Sequence, residues 1–423
     1  MAHLPVRVLT ELQTVEFMNR RPPKNFHPEP FEYHQEVELQ ISDLTNLGSG
    51  VGRLDGWVVF VPYALPGERI KARIWRNKSN YSDADLLEVL EASPDRTEPQ
   101  CGLFGICGGC QYQHYSYEKQ LEWKTHQIGE GLKRIGKLEL PVNPCIGSPL
   151  QYGYRSKITP HFRESPAHND APIGFQQVGS RALVDVEQCP IASPAINERF
   201  PAAREELRSG KRSFKRGGTL LLRDADEGVV SEMSRVATES VGPYRFSFVA
   251  GEFFQNNPHI LPKMVNYALE RATEGGTDYL VDAYCGVGVF GISGSKRFKA
   301  VHGVEVSPKA VDLANENAQV NQVHNIQFTL GHAEAIFAGL TFPPEHTTVL
   351  LDPPRKGCDA SFIRQLLNFA PKRIVYVSCG PDTQARDAQL ICEGPYRVCD
   401  VQPFDLFPQT RHIENVMTFE SLS

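Results

Sequence analysis

The sequence predicts an α/β fold in the C-terminal part of the chain, preceded by a small β-barrel and a central α+β region. From Glu252 onward, short apolar segments alternate with longer helical stretches, which is the pattern of a parallel sheet covered by helices. One apolar segment runs into the turn Gly286–Gly288, where glycines allow a ligand to approach the backbone closely. Nearer the N-terminus, short alternating segments between Val37 and Ile74 are separated by glycine turns, which is typical of a small barrel.

Length and composition limit the class of protein. A chain of 423 residues is too long for one ordinary core, so we expect two or three domains. Its content of 41% hydrophobic and 22% charged residues is ordinary for a soluble globular protein. No apolar run reaches the roughly 18 residues that span a membrane, and the N-terminus lacks the apolar core of a secretory signal. We therefore expect a cytoplasmic protein with no membrane partner, whose ten cysteines are thiols or metal ligands.

Charge is distributed unevenly along the chain. The net charge of −6 argues against a generally basic nucleic-acid-binding protein. A local basic face is nevertheless sufficient for phosphate contacts, and two sets of basic residues offer one. The first set lies between Arg204 and Arg223, and the second comprises Lys71, Arg73, Arg76 and Lys78. Solvated surface charge is the alternative interpretation of both sets.

The N-terminal region divides into an arm and a barrel. Residues 1–32 contain several prolines with Arg20, Arg21 and Lys24, and are expected to form a flexible arm. Residues 33–92 form the predicted barrel. Within it, the segment Gly50–Arg69 closely resembles the TRAM domain, an OB-like RNA-binding module. The resemblance implies that the barrel binds RNA; a barrel without a ligand is the alternative.

Residues 93–250 are expected to form a central α+β domain with short strands and a helix over residues 194–209. Cys101, Cys107 and Cys110, with Cys189 much later, offer four soft ligands that suit zinc or an iron–sulfur cluster. Their spacing leaves the metal open. A zinc ribbon usually has two Cys-x2-Cys pairs, and only Cys107 and Cys110 form one. The gap after Cys101 also differs from the Cys-x3-Cys-x2-Cys pattern of radical enzymes. Unliganded cysteines are the remaining alternative.

Residues 251–423 carry the parallel-sheet pattern. Gly286, Gly288 and Gly291 satisfy the pattern Gly-x-Gly-x-x-Gly after an apolar strand. Glu305 ends the next strand, at about the 20-residue separation at which a carboxylate reaches the ribose of a bound dinucleotide. Nicotinamide dinucleotides and S-adenosylmethionine both use such a strand, turn and acid. The pattern therefore predicts a Rossmann-like domain with an adenosine-bearing ligand, without choosing between them.

Two later strand ends narrow the chemistry. The strand Val349–Leu351 leads into Asp352-Pro-Pro-Arg355, in which consecutive prolines stiffen a loop beside the sheet edge. Enzymes that methylate exocyclic amines of bases carry a related Asp-Pro-Pro followed by an aromatic residue, which Arg355 replaces here. A second apolar strand begins at Arg373 and stops at Cys379, before a predicted helix over Thr383–Ile391. Cys379 thus stands where open α/β sheets bind their ligands.

Together with the terminal His412-Ile-Glu414, these motifs resemble the RNA 5-methyluridine methyltransferase family. With the TRAM segment and the four cysteines, the chain is most similar to the subgroup that methylates uridines of 23S ribosomal RNA. The resemblance extends from about residue 36 to the C-terminus. It implies a class I S-adenosylmethionine-dependent methyltransferase domain, an RNA partner and a monomer, and it favours S-adenosylmethionine over a nicotinamide cofactor.

The resemblance also implies a role for each site residue. Uracil C5 is a poor nucleophile until a thiolate adds to C6, and the C5 proton must be removed after methyl transfer. Cys379 matches the nucleophile and Glu414 the base. The remaining implied roles are cofactor binding by Gln255, Tyr284, Gly286, Gly288, Glu305 and Asp352, base stacking by Phe253, substrate contact by Arg355, and a [4Fe–4S] cluster on Cys101, Cys107, Cys110 and Cys189.

Alternatives and departures from the family pattern remain. The target could be transfer RNA, the enzyme could methylate exocyclic amines without a covalent adduct, or the chain could bind RNA without catalysis. The family usually has asparagine at the positions of Gly380 and Val289, where its side chain is expected near the nucleophile and the cofactor. Cys358 follows the Asp-Pro-Pro-Arg loop but does not match the nucleophile motif. We interpret it as structural, together with Cys145, Cys285, Cys392 and Cys399.

Overall fold

The computed structural model describes residues 22–24, 26–163, 171–209, 217–331, 336–337 and 339–422. The chain divides into two compact units. The first contains residues 1–120, 176–182 and 409–411, and the second contains residues 121–175, 183–408 and 412–423. The predicted arm over 1–32 lies largely outside the described residues, as do Arg20 and Arg21. The predicted domain limits at 33–92, 93–250 and 251–423 stay a prediction.

A closed barrel of five strands dominates the first unit, as the alternating segments predicted. Its strands pair in the order β1-β2-β3-β5-β4 and close through β1 and β4. In β1 the residues Val37, Leu39 and Ile41 are buried, whereas Glu36, Glu38 and Gln40 between them are exposed. The strand bounds are β1 (Glu36–Leu44), β2 (Ser49–Leu54), β3 (Trp57–Pro62), β4 (Arg69–Asn77) and β5 (Tyr81–Glu91).

The basic set on the barrel is largely neutralised by acids on neighbouring strands. Lys71 Nζ lies 2.5 Å from Glu36 Oε2, and Arg76 Nε lies 2.7 Å from Asp83 Oδ2. Arg73 pairs with an acid in the same way, through Asp85. These cross-strand pairs leave the barrel with less free positive charge than the composition of β4 indicates.

The predicted basic region from Arg204 to Arg223 begins and ends with buried residues. Arg204 is 4% exposed and donates hydrogen bonds to the backbone oxygens of Ile173 and Val186 and to Asp185. Arg223 is fully buried and lies over the ring of Phe248. Neither guanidinium is available to a phosphate, so the prediction of a continuous basic face is wrong for these two. Lys211, Arg212, Lys215 and Arg216 lie outside the described residues.

Helices and small sheets fill the rest of the chain before the large sheet. The predicted helix over residues 194–209 forms as α2, where Ser193 Oγ accepts a hydrogen bond from Ile196 N. The bounds here are α1 (Tyr117–Arg134), β6 (Lys157–Ile158), β7 (His161–Phe162), β8 (Gly174–Gln176), β9 (Leu183–Asp185), α2 (Pro194–Arg208), β10 (Gly218–Thr219), β11 (Leu222–Ala225), β12 (Gly228–Val230), β13 (Val236–Val241) and β14 (Tyr244–Val249).

A seven-stranded sheet with helices on both faces organises the second unit. Its strand order is β17-β16-β15-β18-β19-β21-β20. The first five strands in this order are parallel, and β21 runs antiparallel to both of its neighbours, β19 and β20. The bounds are α3 (Leu261–Thr273), β15 (Tyr279–Ala283), α4 (Val289–Gly294), β16 (Ala300–Glu305), α5 (Pro308–Val320), β17 (Ile326–Leu330), β18 (Thr347–Leu351), α6 (Ala360–Phe369), β19 (Arg373–Ser378), α7 (Pro381–Cys392), β20 (Tyr396–Phe404) and β21 (Glu414–Ser421). Short 3-10 turns occupy Ser295–Arg297 and Pro344–His346.

Burial on both faces explains why the parallel strands read as continuous apolar runs. Leu350 and Val375 pack into one core, whereas the preceding residues Val349 and Ile374 pack into the core on the opposite face. A strand covered on both sides has no polar face and therefore loses its alternation. The helix predicted from Thr383 begins earlier, at Pro381, because proline is well suited to the first turn of a helix.

Candidate active site

Four parallel strands end at one edge of the large sheet, and the residues that follow them form the candidate site. β15 is followed by Tyr284 and the glycine turn, and β16 ends at Glu305. β18 is followed by Asp352, and β19 by Cys379. Because parallel strands point in one direction, their carboxyl ends share the edge at which open α/β sheets bind ligands.

The glycine turn is tied to the acid at the end of β16. Gly286 N donates a hydrogen bond of 3.0 Å to Glu305 Oε2, while Glu305 Oε1 accepts from Val306 N and Ser307 N at 2.8 and 3.0 Å. Gly288 has φ of 88°, and a Cβ there would lie 2.8 Å from Phe328 Cζ. The turn therefore needs glycine for both its conformation and its packing.

Asp282 supports the same turn and was missed by the sequence analysis. Its fully buried carboxylate accepts a 2.7 Å hydrogen bond from Gly291 N at the third glycine of the pattern. Burial, with smaller contributions from the charges of Asp352 and Glu305, raises the pKa of Asp282 to about 7. The available signal was an acid within the apolar strand β15, since buried carboxylates are rare without a partner.

Two more acids surround the thiol at the end of β19. Glu414 is 2% exposed, and burial raises its pKa well above the ordinary value, with a contribution from Asp352. Burial also raises the pKa of Asp352 to about 7. For Cys379, burial and then the charges of Glu414 and Asp352 raise the pKa of the thiol to about 11. The neutral forms of these groups are therefore favoured in the absence of a ligand.

Arg355 opposes this trend. Its positive charge and its hydrogen bond with the Cys379 side chain both act to lower the pKa of the thiol. Its Nη2 lies 3.3 Å from His412 Nδ1, two residues before Glu414. The structure thus brings together Arg355, Cys379 and Glu414 from three separate strand ends, and places a cation beside the only thiol of this group.

The space around Gly380, where the family usually has asparagine, is too small for a side chain unless neighbouring atoms shift. A Cβ at this position would lie 2.8 Å from Arg355 O and 2.7 Å from Thr383 Oγ1. Thr383 Oγ1 in turn lies 2.9 Å from both Arg355 O and Gly380 O, as a donor to these carbonyls. The loop that carries Arg355 therefore approaches the start of α7 more closely than a side chain at position 380 allows.

Val289, the other departure from the family pattern, and Cys358, the cysteine after the Asp-Pro-Pro-Arg loop, both pack in the core. Val289 begins α4 and packs against a buried apolar cluster. Cys358 is 6% exposed, its thiol lies 3.9 Å from Tyr376 Oη, and its backbone N donates to Asp387 Oδ2. Burial raises the pKa of the Cys358 thiol to about 12, so this cysteine has the environment of a structural thiol.

Neighbouring residues after β14 point in different directions. Phe253 is 72% exposed, whereas Phe254 is buried and stacks on Phe248 with ring centroids 4.1 Å apart. Gln255 is 8% exposed, and its Oε1 has no hydrogen-bond partner among the described residues. Tyr284, which follows β15, has φ of 63°, and its ring centroid lies 5.3 Å from that of Phe362. An exposed ring and an unpaired buried acceptor are both groups that a ligand could satisfy.

Comparison with known proteins decides the family. The family described as tRNA (Uracil-5-)-methyltransferase matches residues 223–421, and the TRAM domain matches residues 31–87. The tRNA (uracil(54)-C(5))-methyltransferase of Schizosaccharomyces pombe is 43% identical over 415 residues, which cover 92% of this chain and 79% of that protein. The chain belongs to the tRNA (uracil-5-)-methyltransferase family. It is an S-adenosylmethionine-dependent RNA (uracil-C5) methyltransferase, as the sequence predicted.

Two further relatives support this assignment. The Saccharomyces cerevisiae tRNA (uracil(54)-C(5))-methyltransferase is 32% identical, covering 92% of this chain and 74% of that protein. The crystal structure of Pyrococcus abyssi tRNA (uracil-54, C5)-methyltransferase in complex with S-adenosyl-L-homocysteine aligns with a TM-score of 0.69 and 25% identity, covering 90% of this chain and all of that one. The predicted 23S ribosomal RNA subgroup of the methyltransferase is not confirmed by these relatives.

The predicted cluster of the methyltransferase is not confirmed either. Cys101, Cys107 and Cys110 belong to the first unit and Cys189 to the second. Within the described part of the chain, no group of three or more His, Cys, Asp or Glu residues is placed to hold a metal ion.

The helices of the methyltransferase give one further result. None of those in the described residues has the length and apolar character needed to cross a membrane. The cytoplasmic location and the monomeric state stay predictions.

Proposed function

We propose that this enzyme methylates C5 of uridine 54 in transfer RNA, with Cys379 as nucleophile and Glu414 as base. The observation that carries the proposal is the thiol of Cys379 at the end of β19, beside Arg355 and close enough to Glu414 for their charges to interact. We now prefer transfer RNA to 23S ribosomal RNA as the substrate. The reason is that two relatives that match over most of the chain are named for uracil 54 of tRNA.

The proposed reaction has three steps on the uracil ring. The Cys379 thiolate forms a bond from Sγ to C6, and the electron pair of the C5–C6 double bond moves to give an enolate. C5 then takes the methyl group that S-adenosylmethionine supplies from its sulfonium. Glu414 finally removes the C5 proton, the double bond forms again, and the bond between Sγ and C6 breaks. The thiolate is regenerated, the proton from C5 resides on Glu414, and the methyl donor is left as neutral S-adenosylhomocysteine.

The electrostatics support these roles. Burial and the two neighbouring acids raise the pKa of the Cys379 thiol, which disfavours the thiolate that must attack C6. Arg355 partly offsets this effect through its charge and a hydrogen bond, and so acts to favour the thiolate. A carboxylate with a raised pKa is a stronger base once it is ionised, which suits Glu414 to abstraction of a carbon-bound proton. Glu414 Oε2 has no hydrogen-bond partner within the described residues and is free to accept that proton.

The glycine turn and its neighbours supply a cofactor site in this proposal. Glu305 would bind the ribose hydroxyls of S-adenosylmethionine beside the turn at Gly286 and Gly288. The unpaired Oε1 of Gln255 supports a polar contact with the cofactor. Tyr284 and Asp352 would complete this site from the ends of β15 and β18. These residues fit the ligand because they combine a close backbone approach at the glycine turn with one buried acceptor, Gln255 Oε1, that lacks a partner among the described residues.

The exposed ring of Phe253 supports the capture of an unstacked base. Single-stranded uridines are bound by stacking on aromatic side chains and by contacts to their edges. Arg355 would contact the substrate as well as the thiolate. We propose that residues 33–92 bind other parts of the RNA and that residues 93–250 form a central domain beside the catalytic domain over 251–423.

One experiment tests the choice of substrate. The purified enzyme with methyl-labelled S-adenosylmethionine should label an unmodified tRNA transcript, and the label should map to uridine 54. A transcript with cytidine at that position should remain unlabelled, and 23S ribosomal RNA lacking its methyluridines serves as the competing substrate. Labelling of the ribosomal RNA alone would reject the proposed target and restore the original interpretation. Iron analysis of protein purified without oxygen tests the predicted cluster separately, since about four irons per chain would support it.

A further inference from the structure

Asn317 on α5 joins two backbone segments, the strand β14 and the glycine turn. Its side chain is 1% exposed. Oδ1 accepts a 2.7 Å hydrogen bond from Ser247 N, while Nδ2 donates to Ser247 O at 3.0 Å and to Val287 O at 3.1 Å. The amide thus uses both of its N–H donors, one on each segment. Its loss would leave buried backbone groups without partners.

The first segment leads to the residues proposed to hold the base. Ser247 lies in β14, and the chain continues from that strand into Gly251–Gln255. The stack of Phe254 on Phe248 fixes the register of this continuation. Lys157 Nζ donates to Gly251 O and to Glu252 O at 3.0 and 2.9 Å, and so holds the segment beyond the strand. Phe253 thus lies between two held points, the contact of Lys157 with Gly251 and Glu252 and the stack of Phe254 on Phe248 of β14.

The second segment is the glycine turn itself. Val287 stands between Gly286, whose N–H is bonded to Glu305, and Gly288, whose N–H donates to Cys285 O at 2.8 Å. The bond from Asn317 to Val287 O orients the peptide group between Val287 and Gly288. A ligand that orders the turn therefore acts on Asn317 directly.

We propose that Asn317 is a positioning residue that couples binding of the cofactor to binding of the RNA base. Order in the glycine turn fixes the Asn317 amide, which fixes β14 and the orientation of Phe253. The coupling must act equally in both directions, because linkage between two binding equilibria is reciprocal. This inference rests on the proposed function, since it assigns the cofactor to the turn and the base to Phe253.

Asn321, the residue that follows the last residue of α5, offers a matched control. Its Oδ1 accepts from Arg245 N at 2.9 Å, and its Nδ2 donates to Arg245 O at 2.7 Å. Asn321 therefore hydrogen-bonds to the backbone of β14 as Asn317 does, four residues further along the chain. Its second amide bond goes to Asn317 O rather than to the glycine turn. Truncation of Asn321 removes hydrogen bonds to the same strand and leaves the bond from Asn317 to the glycine turn in place.

The experiment measures the dissociation constant of S-adenosylhomocysteine with and without a tRNA T-arm hairpin transcript. For the wild type, we expect the hairpin to tighten binding of the nucleoside by at least about fivefold, as is usual for coupled sites. Asn317→Ala should reduce this ratio to near one, whereas Asn321→Ala should retain it. Asn317→Asp keeps the acceptor for Ser247 N but loses both donors, and should behave as Asn317→Ala does. Thermal melting identifies a variant that fails to fold.

The outcomes separate this inference from the proposed function. A wild-type ratio of one, or an unchanged ratio in folded Asn317→Ala, would overturn the coupling while the enzyme still methylates the hairpin. Equal losses of the ratio in Asn317→Ala and Asn321→Ala would also reject it, because the strand alone would then account for the effect. Failure of the wild type to methylate the hairpin at all would instead reject the proposed substrate.

Discussion

Lys124 Nζ lies 2.6 Å from Asp405 Oδ1, and both side chains are fully buried. Lys124 also donates to Phe407 O at 3.3 Å, and Asp405 Oδ1 accepts from Phe407 N at 3.1 Å. The pair therefore holds the turn Asp405–Phe407, which follows β20. An ion pair without water around it has been desolvated on both sides, so either partner alone is costly.

Removal of one partner should destabilise the protein strongly. Lys124→Met leaves the Asp405 carboxylate buried without a cation, and we expect the free energy of unfolding to fall by about 3–5 kcal/mol. The double variant Lys124→Met with Asp405→Leu replaces both charges by apolar groups and should recover most of the loss. Urea denaturation of the three proteins measures this. A single variant within 1 kcal/mol of the wild type, roughly the median for an exposed pair, would contradict the assignment.

Asp282 predicts a dependence of stability on pH with an unusual sign. Burial raises its pKa in the folded protein to about 7, above the usual carboxyl value in the unfolded chain. Between these two values the folded state binds more protons than the unfolded state, so this group makes stability fall as pH rises. Its contribution is about 1.4 kcal/mol per pH unit for a single group.

Asp282→Asn removes that titration while retaining an oxygen that can accept from Gly291 N. The variant should gain stability relative to the wild type at pH 8 and gain less at pH 5, where the wild-type carboxyl is protonated. Urea denaturation at the two pH values, without ligand, gives the difference. An advantage that is the same at both pH values would show that Asp282 does not titrate in this range.

The sequence predicted those features that depend on local pattern. The alternation in β1, the position of Glu305 after the glycine turn and the termination of a strand at Cys379 all follow from residue order and strand geometry. The roles of Asp282 and Asn317 were harder to predict, because their hydrogen-bond partners are backbone groups brought close only by tertiary packing. Arg204 was misinterpreted for the same reason, since composition cannot distinguish a buried guanidinium from an exposed one. The lack of space for a side chain at Gly380 could not be predicted either, because it depends on the distance to Arg355 O in the folded protein.

The reactivity of Cys379 should respond in opposite directions to its two charged neighbours. Arg355 lowers the pKa of this thiol and Glu414 raises it. Arg355→Gln should therefore move the midpoint of iodoacetamide alkylation at Cys379 to higher pH, and Glu414→Gln should move it to lower pH. Peptide mass spectrometry separates this cysteine from the other nine.

Lys356→Gln is the matched control for this measurement. It removes an exposed positive charge from the residue next to Arg355, and should shift the midpoint less than Arg355→Gln does. Equal shifts in the two variants would indicate a general charge effect rather than a specific contact with the thiol.

Methylation should depend on Cys379 and on no exposed cysteine. Cys379→Ala removes the group that activates C5, so both product and covalent adduct should disappear. Cys399→Ser alters an exposed cysteine at the other end of the sheet region and should leave turnover close to that of the wild type. Methyl transfer from labelled S-adenosylmethionine to a tRNA transcript measures both. Activity in a folded Cys379→Ala protein would favour an amino-methyltransferase, which forms no adduct.

Glu414→Gln should separate methyl transfer from product release. The thiol and Arg355 remain, so addition to C6 and methylation of C5 should proceed, but no base then removes the C5 proton. The enzyme should transfer about one methyl group per chain and stay bonded through Cys379 to the methylated uridine. A denaturing gel should show this species as a slow band that ribonuclease collapses, and the double variant with Cys379→Ala should lack it. Normal turnover of Glu414→Gln would mean that another base removes the proton, and a stalled variant without a slow band would place the defect before addition to C6.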